Sequence, residues 1–99
     1  MKVIWSPRAI DRVSEIAEYI AKDNPRAAEK WIDTIFAQIK KLEKFPQIGR
    51  ILPEANQKEM REILFKNYRI ICRHDENRIS ILTVQHGKQI LPAEDLKEN

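Results

Sequence analysis

Residues 60–86 read "MREILFKNYRIICRHDENRISILTVQH". Three runs rich in β-branched and aromatic residues, Met60–Phe65, Tyr68–His74 and Ile79–His86, are separated by Lys66-Asn67 and by Asp75-Glu76-Asn77. Connections this short force neighbouring strands to reverse direction, so the stretch predicts an antiparallel three-stranded meander. Alternation sends Ile70 and Cys72 to one face of the middle strand, and Arg69, Ile71 and Arg73 to the other. Strict alternation in the last strand gives His86 the same face as Ser80, Leu82 and Val84. Whether that is also the arginine face depends on register, which pairing decides.

Upstream, the apolar period changes. Val3-Ile4-Trp5 reads as a short strand, and Ser6-Pro7 as a helix start with Ser6 capping and proline where its missing N–H costs nothing. Ile10, Val13, Ile16, Ala17 and Ile20 recur at helical spacing, predicting a helix over residues 7–22. Asn24-Pro25 repeats the punctuation, and Ala28, Trp31, Ile32, Ile35, Phe36, Ile39 and Leu42 predict a second helix ending near Phe45, before Pro46. So short a connection makes an antiparallel helical hairpin, whose apolar stripes need a sheet to cover. "FPQIGRILPEANQ" at 45–57 reads as loop. The expected fold is α+β, in the order β-α-α-β-β-β, with the hairpin on one face of a small, mainly antiparallel four-stranded sheet. A single domain is expected over residues 1–92, with 93–99 as a polar tail. One hairpin cannot cover both sheet faces, so the face bearing Arg69 and Arg73 is expected to stay open and cationic.

Composition narrows the chemistry. Ninety-nine residues, 42% hydrophobic and 33% charged, suit one soluble globular domain. No apolar run is long enough for a membrane helix, and the N-terminus lacks the pattern of a secretory signal. Cys72 is the lone cysteine, so no internal disulfide can form and a cytoplasmic setting is expected. With glycine only at positions 49 and 87, a phosphate-cradling glycine-rich loop is excluded. One cysteine and two scattered histidines make no zinc cluster, and no cofactor is expected. The net charge of +3 is thin for a protein whose partner is mainly nucleic acid.

Four segments in this order, "FPQIGR", "REI", "NYRIICRHD" and "RISILTVQHGKQ", resemble the RelE/ParE superfamily, the toxins of type II toxin–antitoxin modules. The resemblance spans Val3 to Gln89. It implies a cognate antitoxin whose partly disordered segment wraps the toxin, and a toxin–antitoxin hetero-oligomer. RelE-like members cut messenger RNA, generally on the ribosome, whereas ParE-like members poison DNA gyrase without nuclease activity. Arg69 matches the phosphate-facing arginine of RelE-like enzymes, and His86 and Lys88 lie where those enzymes keep further functional groups. RelE-like chains generally end in a catalytic tyrosine, yet residues 88–99, "KQILPAEDLKEN", contain no Tyr, His or Arg. The long helical hairpin and "VQHGKQ" also look more like ParE. The expectation is therefore a ParE-like gyrase inhibitor; the alternatives are a ribonuclease using Arg69, His86 and Lys88, and a non-toxic antitoxin binder. Candidate target-binding residues are Arg61, Arg69, Arg73, His86 and Lys88. Each has an ordinary structural reading: Arg69 paired with Glu62, Arg73 with Asp75 or Glu76, Arg61 solvated at a strand start, and His86 hydrogen-bonded at a strand end. His74 beside its turn is expected to be solvated, and Cys72 to be a small buried hydrophobe.

Overall fold

The computed structural model describes residues 1–87 and 89–97. Strand β1 (Lys2–Trp5) leads into helices α1 (Pro7–Asp23) and α2 (Pro25–Lys44), followed by strands β2 (Arg50–Ile51), β3 (Met60–Phe65), β4 (Tyr68–His74) and β5 (Arg78–His86). A 3-10 turn, Ala93–Leu96, follows the last strand. Both helix starts form for the expected reason. Ser6 Oγ accepts from Ala9 N–H at 3.0 Å and Asn24 Oδ1 from Ala27 N–H at 3.2 Å, satisfying amides that a helix leaves without partners.

The sheet has five strands in the order β1-β5-β4-β3-β2, one more than expected. The added strand is β2, where Arg50 and Ile51 inside the presumed loop pair antiparallel with Glu62 and Arg61. β1 runs parallel to β5, while β3, β4 and β5 form the antiparallel meander. The hairpin covers one face. Val13, Ala17, Trp31, Ile35, Ile39 and Leu42 from the helices meet Ile63, Ile70, Cys72, Ile79, Ile81 and Val84 from the sheet. Burying each such aliphatic side chain contributes roughly 1.5–3 kcal/mol.

Two features overturn the picture of an open reverse face. The first is a second, smaller core there, formed by Leu52, Met60, Ile71 and Leu82 and covered by Ala55, Leu91 and Leu96. The loop after β2 and the segment after β5 thus supply the cover that one hairpin cannot. The expected polar tail packs against the sheet as far as it is described, with the Asp95 side chain fully buried. The second feature is a bulge in β5. Ile71 pairs with Thr83 but Cys72 with Ile81, leaving Leu82 as an extra residue. The alternation therefore resets: Ile79 and Ile81 face the helices before the bulge, and Val84 after it, while Leu82 faces the second core. Ser6 secures this point, its N–H bonding Ile81 O at 3.0 Å and its Oγ donating to Leu82 O at 3.0 Å.

Candidate functional site

Arg69 and Arg73 do share a face with Ile71, as alternation requires, but they lie four residues apart, roughly 13 Å along the strand. On that face the Arg69 guanidinium is gripped from two sides. Beneath it, the buried Glu62 carboxylate accepts from Nε at 3.0 Å and from Nη2 at 3.3 Å. Above it, Glu54 from the loop after β2 accepts from Nη1 at 2.6 Å and from Nη2 at 2.7 Å. The Arg69 side chain is only 12% exposed, while that of Glu54 is 42% exposed. Hydrogen bonding from Arg69 holds the Glu54 carboxyl below its ordinary value despite partial burial. A shallow cleft of about 560 Å³ surrounds the cluster, lined among others by Arg50, Leu64, Lys66, Tyr68 and His86.

The bulge decides the position of His86. It pairs with Tyr68, a helix-side residue, while Gln85 pairs with Arg69. The His86 imidazole stands edge-on to the Tyr68 ring at 5.5 Å, and Tyr68 in turn packs on Trp31 at 5.2 Å. His86 therefore parts from Ser80 and Leu82, against strict alternation, and stands beside Tyr68 at the sheet end, where it still lines the Arg69 cleft. A second cleft of about 600 Å³ opens on this side, lined by Arg12, Ile16, Tyr19, Tyr68, Gln85 and His86 among others.

The remaining candidates are dispersed. Arg61 sits on the helix-side face and braces the preceding loop, donating to Lys58 O at 2.8 Å and Gly49 O at 3.3 Å. Arg73 lies 3.6 Å from Asp75 and reaches Met60 Sδ at 3.9 Å. Lys88 lies outside the described residues. His74 is half-buried 3.5 Å from Cys72 Sγ rather than solvated, and burial followed by the nearby Arg61 charge lowers its pKa. Cys72 is fully buried, and burial pushes its thiol up to about 12. Among the described residues, no group of three or more His, Cys, Asp or Glu side chains is placed to hold a metal ion. The open cationic face is thus replaced by a paired one. Glu54 carried no signal in the sequence, because only the folded loop brings it over Arg69. Glu62 was legible as an acid alternating with Met60 and Leu64 on the same face.

A helical hairpin on this five-stranded sheet is the fold of RelE/ParE-type toxins. The chain superposes on a chain of the chromosomal ParDE TA system from P. aeruginosa with a TM-score of 0.72 at 21% identity, covering 87% of this chain and 95% of that one. Against a chain of the toxin–antitoxin complex RelBE2 from Mycobacterium tuberculosis the TM-score is 0.55 at 20% identity, covering 86% and 95%. The Sinorhizobium fredii protein Y4kP is 33% identical over 92 residues, 92% of this chain and 93% of its own length. The family described as ParE toxin of type II toxin-antitoxin system, parDE, matches residues 3–91. The chain belongs to that ParE toxin family, and no helix among its described residues is long and apolar enough to cross a membrane.

Proposed function

We propose that this toxin acts on DNA gyrase, trapping it on cleaved DNA, and is held inactive by a cognate antitoxin. The observation that carries this reading is the lack, after β5, of a group to complete an RNA-cleaving site. Cleavage through a 2′-hydroxyl requires an acid, a base and cations converging on one phosphate. Here the Arg69 fork is taken by Glu54 and Glu62, and His86, which lines the same cleft, is packed edge-on against Tyr68. The segment after β5 has no tyrosine, histidine or arginine to supply the missing acid. An antitoxin has suitable places to dock: Ile10, Tyr19 and Phe36 are exposed on the helices, and β1 ends the sheet with one edge unpaired by any described strand.

Purified toxin should inhibit gyrase supercoiling and accumulate cleaved DNA–gyrase complex, while messenger RNA on programmed ribosomes stays intact. Cleaved RNA with unimpeded supercoiling would replace this reading with the ribonuclease one. Co-expression with the protein encoded alongside should restore growth.

A further inference from the structure

We propose that Arg69 is a carboxylate-recognising fork, plugged in the free protein by Glu54, which opens to an acidic, leucine-bearing segment of a partner protein. Three observations support it. First, the fork is built rather than incidental. The fully buried Glu62 fixes Nε and one edge of the guanidinium from below, so the Nη1/Nη2 edge is presented outward in a fixed plane. Second, the group that fills this outward edge is replaceable. Glu54 sits on an exposed turn with its side chain 42% exposed, so a carboxylate arriving from solvent can compete for the same bidentate contact. Third, the surroundings suit a protein carboxylate. Arg50, Lys66 and Arg69 face Glu54 and Glu62 across the cleft, a net charge of +1 that is thin for a phosphate backbone. Beside them Leu64 is 53% exposed on a strand whose outer half, beyond Glu62, β2 leaves uncovered. An incoming segment with a leucine next to an acidic side chain would cover Leu64 and take over the fork.

The inference shares with the gyrase and antitoxin reading only that the partner is a protein, so a failed gyrase assay leaves it standing and a failed titration leaves that reading standing. The test is a titration of the full chain with a blocked hexapeptide of alternating leucine and glutamate, followed by the ¹H–¹⁵N signal of Arg69 Nε–H. A leucine–glutamine twin and a uridine hexanucleotide serve as the other arms. Glu54→Ala should tighten peptide binding about tenfold, as expected if the plug occupies the fork roughly 90% of the time. The Arg69 signal should move, and the glutamine twin should bind neither form. Glu54→Ala touches no core contact, so the result does not depend on a variant that unfolds. Equal affinity with and without Glu54, equal binding of the twin, or preferential binding of the hexanucleotide would overturn the proposal.

Discussion

The Asp95 carboxylate has no access to solvent, and its charge is met from two elements, α1 and β5. Arg12 on α1 donates to it twice, at 2.9 and 2.8 Å, Thr83 Oγ1 donates at 2.8 Å, and Gln85 Nε2 donates from the same strand. Burial alone would raise its pKa, but the hydrogen bonds from Arg12, Thr83 and Gln85 outweigh that and hold it below the usual carboxylate value. A depressed folded-state pKa stabilises the fold above the unfolded value of about 4, and that contribution is lost as pH falls through the folded value. Asp95→Asn should therefore destabilise by about 2 kcal/mol at pH 7, the magnitude for charged hydrogen bonds. In urea unfolding, the gap between variant and parent should close as the pH drops below about 4. Cys72 makes the opposite kind of prediction. With the thiol buried and pushed up to about 12, a disulfide reagent at pH 8 should leave it untouched until denaturant exposes it.

At the scale of elements, the two helix caps look alike in sequence but differ in reach. Asn24 satisfies one amide of α2 at an exposed corner. Ser6 is buried, satisfies α1, and also ties that helix to the bulge of β5 through Leu82 O. Ser6→Ala should cost about 2 kcal/mol and Asn24→Ala about 1 kcal/mol or less, measured as shifts in urea midpoint at constant slope. Equal costs would mean that Ser6 acts only as a cap. Apart from β2, which was read as loop, helix and strand positions were legible to within a residue or so, because proline, asparagine and serine punctuate strongly periodic runs. The bulge was not legible. Nothing in "ISILTVQH" distinguishes Leu82 as an extra residue; β1 and Ser6 on one side and β4 on the other impose it. One added residue then moved His86 out of the alternation of Ser80 and Leu82 and beside Tyr68.

Across the whole molecule, the loop after β2 and the segment after β5 convert an open sheet face into a second core. A chain ending at Gln89 would leave Leu82, Met60 and Ile71 without the cover of Leu91 and Leu96, and Arg12 without Asp95. Such a chain should lose several kcal/mol of stability, since fully burying a leucine contributes roughly 1.5–3 kcal/mol, Leu91 and Leu96 are each partly buried, and Arg12 loses a charged hydrogen-bond partner. It should also bind a hydrophobic dye that the full chain does not. An unchanged unfolding midpoint would show that the segment merely rests on the sheet. The expected charged outer surface failed at this scale, because alternation places arginines on a face without revealing which acids fold over them.

What the sequence determined by itself was local: where the helices and all strands but β2 begin and end, the antiparallel meander, the side each β4 residue faces, and the family likeness. These follow from interactions among residues close along the chain. Only the tertiary structure decided the fate of the charges and the face of His86. Glu54 meets Arg69 across 15 residues and Arg12 meets Asp95 across 83, separations at which spacing carries no signal. Those contacts exist because buried charge must be paired and a second apolar face must be covered, and both requirements are met by whichever distant segments the fold brings near.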